Sequence, residues 1–209
     1  MSKLNLKNVT CIAATSNKIS ETIRALKICM SYCDFYDVKI FTHTPVGLNH
    51  KIVNKINSKR DYDNFIVKQL PYEIESDFCL TIQYDGFIVN PNAWTDEFFD
   101  YDYIGAPWPW LDDLVGNGGF CLKSKKFLDS QKEIVSDLEV NNADDVLLSD
   151  ILRKEFESYG CKYAPANLAY RFSTEHGSYE KNQSLGFHDF QLHRFFRNKI
   201  VGRLKSYLS

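Results

Sequence analysis

The chain has 209 residues, of which 44% are hydrophobic and 14% aromatic, so it is long enough and apolar enough for one sizeable core and is not a disordered segment. A formal net charge of −2 removes the electrostatic case for a nucleic-acid binder, and no apolar run approaches the about 20 residues that span a bilayer. Cys11, Cys29, Cys33, Cys79, Cys121 and Cys161 are scattered with no CxxC pair, a pattern of buried free thiols that predicts a reducing, cytoplasmic setting (host cytoplasm for a viral chain) and neither disulfides nor zinc.

Asn8–Ala14, NVTCIAA, predicts a first strand. Ser20 is placed to cap a helix in which Ile23, Leu26 and Met30 share one face. Asp37–His43 predicts a second strand, broken by Pro45 and Gly47, and Tyr62–Leu70 a helix with Phe65, Ile66 and Leu70 as its apolar side. Phe78–Ile82, FCLTI, is apolar without alternation, as in a strand covered on both faces. Strands separated by helices predict a parallel, doubly wound front half, where ligands sit beyond the carboxyl ends of the strands. Ala14-Thr15 and Gln83-Tyr84-Asp85 both fall at such ends.

The second half has another texture. Tyr103–Trp110 is extended and aromatic, and Val115–Leu122 is glycine-rich and runs into a strand. Lys123–Glu139 predicts a helix, and Asn141–Phe156 another, with Leu148, Leu152 and Phe156 in register and Asp144 and Asp145 in its first turn. Cys161–Phe172 reads as strand-like. His193–Ser209 reads as a basic amphipathic helix, carrying Arg194, Arg197, Lys199, Arg203 and Lys205, docked on the domain or leading to a further one. The expected division is one domain over residues 1–190 and this helix over 191–209.

Four features bear on chemistry. Asp85 before Gly86 suits a hard cation that takes oxygen ligands, although Asp-Gly is also a good turn, and turn statistics alone favour the turn. The run Gly116-Asn117-Gly118-Gly119 lets backbone approach a ligand, but its spacing is neither a dinucleotide fingerprint nor a phosphate-binding P-loop, and a hairpin connection explains it equally well. Asp144-Asp145 at a helix start is favourable against the macrodipole, or supplies a general base. His188, between Phe187 and Phe190, is either packed or a ligand. Trp108, Trp110 and Phe120 suit a pyranose face or a core, with Trp110 leaning to the site.

In this order (acidic motif after a strand, glycine loop before a strand, acidic pair opening a helix, late histidine) the chain resembles glycosyltransferases of the GT-A fold. The segments QYDGFIVNPNAWTDEFFDYDYIGAPW, VGNGGFCLKSKKFLDS and LGFHDF are similar to a small family of GT-A-like domains, and they also resemble the amino-terminal domain of a multidomain glycosyltransferase from large chlorella viruses. The resemblance runs from Val9 to Phe190 and implies an α/β, GT-A-like fold: a single Rossmann-like domain whose mixed central sheet is flanked by helices. It also implies a UDP-sugar donor, Mn²⁺ or Mg²⁺, a hydroxyl acceptor on a glycan, and further domains of a longer polypeptide as partners. Asp85 corresponds to the surviving carboxylate of a DXD-type motif, with Gln83 replacing its first acid, a neutral amide that lowers the expected cation affinity. Asp85 and His188 correspond to metal ligands, Gly118 and Gly119 to the loop shaping the cleft, and Asp145 to the base, with Asp144 beside it. Ala14 and Thr15 fall where the uridine pocket begins, and Tyr84, Arg60 and Lys68 are expected to contact phosphate or base. Two other readings stay open, a nucleotidyltransferase acting on sugar phosphates and an inactive module that binds nucleotide sugar or glycan.

Overall fold

Eleven residues, Leu4–Ala14, form the first strand, β1, in a computed structural model that describes residues 3–108, 110–111, 114–175 and 183–188. The last six residues of β1 are all buried, because its alternate side chains enter two different apolar clusters. Cys11 and Ala13 pack with Leu26 and Cys29 of helix α1 (Ile19–Tyr32). Ile12 and Ala14 pack instead with Phe41, Phe65, Ile66 and Leu128. This two-sided cover is why the strand reads as a continuous apolar run.

From α1 the chain returns through β2 (Cys33–Thr42), parallel to β1, and β3 (His50–Ile52), parallel to β2. Helix α2 (Lys59–Asn64) starts at a capping box, in which Ser58 accepts from the Asp61 amide and Asp61 accepts from the Ser58 amide. It continues as a π turn over Phe65–Gln69 and a 3-10 turn over Leu70–Tyr72. β4 (Phe78–Ile82) then lies parallel to β1. After it come β5 (Gly86–Ile88), β6 (Tyr103–Ile104) and β7 (Phe120–Ser124). The main sheet has the order β3-β2-β1-β4-β7-β6, with β7 antiparallel to both β4 and β6. The sheet is therefore mixed, as the resemblance implied.

Helix α3 (Lys125–Ile134) is capped by Ser124, whose hydroxyl accepts from the Phe127 amide at 3.0 Å. A short helix, α4 (Asp144–Val146), passes through a π turn over Leu147–Ile151 into α5 (Arg153–Ser158). Helix α6 (Ala166–Phe172) leads to β8 (Ser173–Thr174), and with β9 (Gly186–His188) these build a second sheet in the order β5-β9-β8. The six cysteines are free and buried. Among the described residues no helix is long and apolar enough to cross a membrane.

Three expectations need correction, and a fourth cannot be compared. Ser20 does not cap α1; Lys18 precedes the helix without a side-chain cap, and Thr15 Oγ1 accepts from the Lys18 amide at 3.3 Å. Lys123 and Ser124 belong to β7, and α3 stops at Ile134, not Glu139. Cys161–Phe172 is not a strand. Only Tyr163 makes a bridge, to Tyr103, and beyond Pro165, whose fixed φ suits a helix entry, the chain forms α6. The basic segment over 191–209 lies outside the described residues.

Candidate functional site

β4 ends at Ile82, which pairs with Phe120 at the start of β7, so Gln83-Tyr84-Asp85 leave the sheet beside Gly118-Gly119. The amide and carbonyl of Gln83 bond reciprocally with those of Gly86, at 3.3 and 3.1 Å, around a tight turn formed by Tyr84 and Asp85. β5 pairs antiparallel with β9 so that Gly86 stands opposite His188. A histidine from late in the chain is thus delivered onto the acidic turn. The approach needs glycine. A Cβ on Gly119 would lie 2.3 Å from His188 Nε2, and one on Gly86 would lie 2.9 Å from the Phe187 carbonyl oxygen. The loop before β7 is fixed by Asn117, which takes a left-handed conformation (φ 64°) and accepts from the Gly119 amide at 3.0 Å.

Three polar side chains converge on this corner. His188 Nδ1 lies 3.0 Å from Glu175 Oε1, so the carboxylate draws the ring proton to Nδ1 and leaves the Nε2 lone pair facing the site. Nε2 lies 3.6 Å from Asp85 Oδ1 and 3.3 Å from Gln83 Oε1. Asp85 is 8% exposed, and its Oδ1 is buried with no hydrogen-bond partner. Three acceptors facing one another repel unless a proton or a metal ion stands among them. Burial opposes a proton on His188, but the Glu175 bond and the Asp85 charge outweigh it and raise the imidazole above its ordinary value. Adjacent oxygen ligands of six-coordinate Mg²⁺ are about 3 Å apart, given bonds of about 2.1 Å, so the observed separations fit a hard cation. Among the described residues no cluster of three or more His, Cys, Asp or Glu is set for a metal; the third donor here is the Gln83 amide oxygen.

Across the cavity stands an acidic wall at the start of α4. The Asp144 amide donates to Asp63 Oδ1 at 3.1 Å, and Lys59 Nζ bonds Asp63 at 2.7 Å and lies 3.9 Å from Asp144. Asp145 accepts from the Gly118 amide at 3.4 Å and from the Val146 amide at 2.9 Å. A Cβ on Gly118 would sit 2.3 Å from Asp144 Oδ2. Burial pushes the Asp144 carboxyl up to about 7, with Lys123 opposing and Asp145 adding to the rise.

That shift has a consequence for stability. Below an unfolded value of 3.8 the carboxyl is protonated in both states, so its protonated form stabilises the fold fully there; the contribution is lost as pH rises toward 7 and is constant above. Asp144→Asn cannot ionise and is expected to remove this slope, at most about 1.4 kcal/mol per pH unit. Urea unfolding at a series of pH values measures it, and an unchanged slope would show that Asp144 does not titrate as its burial requires.

Between the two walls lies a cavity of about 500 Å³. Its third side is the carboxyl end of β1, where the Thr15 amide donates to the Phe41 carbonyl at 3.0 Å and Ser16 Oγ accepts from the Ile56 amide at 2.9 Å. Ala14, Thr15, Gln83, Tyr84, Gly118, Gly119, Asp144, Asp145 and His188 all line this space; Asp85 does not, and it lies 3.6 Å from His188 Nε2. Arg60 and Lys68 do not. Arg60 bonds Glu139 and Asn141, at 2.8 and 3.1 Å, and Lys68 holds the carbonyls of Val135 and Ser136 beyond α3. Trp108 is buried so tightly against Gly116 that a Cβ there would lie 2.1 Å from the indole, and Phe120 packs on Phe172, so both belong to the core. Trp110 is 60% exposed and is not among the lining residues. The lining also includes Lys18, Lys59 and Glu175, which sequence reasoning missed. For Lys59 a signal existed: Ser58 and Asp61 form the S-x-x-D capping pattern that fixes the helix start.

The fold has precedents. A glycosyltransferase involved in the glycosylation of the major capsid of PBCV-1 is 12% identical, with a TM-score of 0.57 over 91% of this chain and 97% of that one. The mannosyltransferase PcManGT from Pyrobaculum calidifontis, solved in complex with GDP-Man and Mn²⁺, is 10% identical, with a TM-score of 0.50 over 75% of this chain. This chain spans about half (53%) of that mannosyltransferase. Such likeness, at these identities, establishes the GT-A fold. No curated protein matches the sequence. The family of proteins of unknown function DUF5672 matches residues 48–188, a span holding the acidic turn, the glycine loop, both α4 carboxylates and His188, and the chain belongs to that family.

Proposed function

We propose that the chain is a glycosyltransferase moving a sugar from a UDP-sugar to a hydroxyl of a glycan acceptor, with Mn²⁺ or Mg²⁺ at Asp85, His188 and Gln83. One observation carries this reading: a corner of converging acceptors and a pair of carboxylates face each other across one cavity at the carboxyl edge of the sheet. The first suits a diphosphate-bound cation and the second a proton acceptor.

In the reaction the bond between the anomeric carbon and the diphosphate oxygen breaks as an acceptor oxygen bonds the opposite face of that carbon. The acceptor proton passes to Asp145, UDP leaves, and the configuration inverts. A bound divalent ion supplies charge neutralisation to the departing diphosphate. Asp145 is oriented by the Gly118 and Val146 amides. Asp144, with its carboxyl near 7, spares the pair two full adjacent charges. Glu175 fixes the His188 ring, and Lys18 and Lys59 bring positive charge to the cavity lining.

The test is a panel of UDP-glucose, UDP-galactose, UDP-rhamnose and GDP-mannose, with and without Mn²⁺, scored by thermal shift and by released nucleotide diphosphate. A UDP-sugar is expected to raise Tm only with the metal and to be slowly hydrolysed. Pyrophosphate release from UTP and a sugar 1-phosphate would assign a nucleotidyltransferase instead. Binding with no turnover under any metal would assign an inactive module.

A further inference from the structure

Two lysines, Lys18 and Lys59, line the cavity, and their surroundings commit them differently. Lys59 Nζ bonds Asp63 Oδ1 at 2.7 Å and lies 3.9 Å from Asp144, so its charge belongs to the acidic wall. Lys18 is held at its backbone and open at its head. Its amide donates to Thr15 Oγ1 at 3.3 Å, and its carbonyl accepts from the Thr22 amide at 2.8 Å. These two bonds fix where the side chain leaves the turn between β1 and α1. The ammonium stands 5.8 Å from the centroid of the Tyr84 ring, within reach of a cation–π attraction. Because Tyr84 lies between Gln83 and Asp85, this ammonium rests against the acidic turn itself. The carboxylate beside it, Glu21 Oε1, is 3.8 Å away, too far for a hydrogen bond, and the two side chains are 53% and 44% exposed. Such a pair contributes little.

Much of the remaining lining opposes an anion. Asp144, Asp145 and Glu175 all line the cavity, and Asp85 lies at its corner. A nucleotide-sugar diphosphate brings about two negative charges, one on each phosphate. A divalent ion held by Asp85, the one carboxylate of the corner, keeps about one net positive charge, enough for one phosphate. The other phosphate needs a second cation, on the side of the cavity where Thr15 and Ser16 end β1. Lys18 is the lining cation there. Lys59 is occupied by Asp63, and Arg60 and Lys68 are turned to Glu139 and to the Ser136 carbonyl outside this space.

We infer that Lys18 is a binding residue for the phosphate next to the nucleoside, so that the donor's two phosphates are held by two different cations, an ammonium against Tyr84 and a divalent ion at Asp85. This division rests on the transferase reading, which supplies the diphosphate donor and the metal. It also carries a consequence of its own. The nucleoside-proximal phosphate is held by the chain alone, so a nucleoside monophosphate is recognised through Lys18 even in EDTA.

The experiment measures binding of uridine, UMP and UDP to the full chain and to Lys18→Gln, in EDTA and in Mn²⁺, by calorimetry and, for weak complexes, by ligand-observed NMR. Lys18→Gln is expected to weaken UMP and UDP by about 10-fold each, with and without the metal, and to leave uridine unchanged. That factor is the weight of one charge-assisted hydrogen bond. Lys18→Arg keeps the charge and should hold UMP within about threefold of the parent. Glu21→Gln removes the same ion pair from its other end and should not weaken UMP; an equal loss there would assign the effect to the helix start and overturn the inference. Lys18 and Glu21 are exposed, so thermal melts of these variants should match the parent. A UMP loss under about threefold in Lys18→Gln overturns the inference and leaves the transferase reading intact, as does a loss confined to UDP in Mn²⁺. If the parent binds UDP under neither condition, the transferase reading fails and the inference with it.

Discussion

Asp85→Ala is expected to weaken UDP-sugar binding in Mn²⁺ by at least about 100-fold and to leave the weak binding in EDTA unchanged. The asymmetry follows from the donor set. Of the three groups that converge on the corner, Asp85 alone is a carboxylate; His188 Nε2, 3.6 Å from Asp85 Oδ1, and Gln83 Oε1, 3.3 Å from that nitrogen, would be neutral ligands. Gln83 brings an amide oxygen to this corner and no second carboxylate. Loss of Asp85 therefore removes all formal charge from the first ligand shell. The substitution is expected to leave the fold in place, because Asp85 Oδ1 is buried without a hydrogen-bond partner to lose. Calorimetric titration of UDP with and without Mn²⁺, beside a thermal melt, reads both halves. Unchanged metal-dependent affinity in the variant would place the cation elsewhere and remove the basis of the proposed chemistry.

The parts of this site that sequence patterns disclose are those made by long elements. β4 runs from Phe78 to Ile82 as expected, because a strand buried on both faces carries an uninterrupted apolar run. The Asp-Gly step after it forms a tight turn in the structure, and that turn brings Asp85 Oδ1 to 3.6 Å from His188 Nε2. What stayed hidden is carried by short elements. β5 and β9 have three residues each, too few for a period to register, yet their pairing closes the corner. Arg60 was expected at the site where Lys59 lies. The expected helix began at Tyr62, but the helix begins at Lys59, and successive helical residues project about 100° apart, so Lys59 faces the cavity and Arg60 turns away to Glu139. Glu175 gives no sequence signal at all, because it acts only through a ring delivered by another strand. The charge state of Asp144 was equally beyond reach. A carboxylate in a helix's first turn is favoured by the dipole, but the protein buries this one, and desolvation wins.

Asp145→Asn separates binding from chemistry. It is expected to lower kcat by about 10² to 10⁴-fold, the usual contribution of a positioned general base, with donor affinity within about threefold of the parent. The amide matches the carboxylate in size but offers one acceptor where Asp145 uses two, one oxygen to the Gly118 amide at 3.4 Å and the other to the Val146 amide at 2.9 Å. The longer bond is the one an asparagine gives up, so any loosening falls on the glycine loop, away from Asp85. Asp144 is the natural rival for the role, being adjacent and with its carboxyl near 7. Its unpartnered oxygen is turned toward Gly118 and a Cβ there would strike it, so it is walled in where an acceptor hydroxyl would need access. If Asp145→Asn retains more than about a tenth of the rate while Asp144→Asn retains far less, that wall opens during turnover and the base is Asp144.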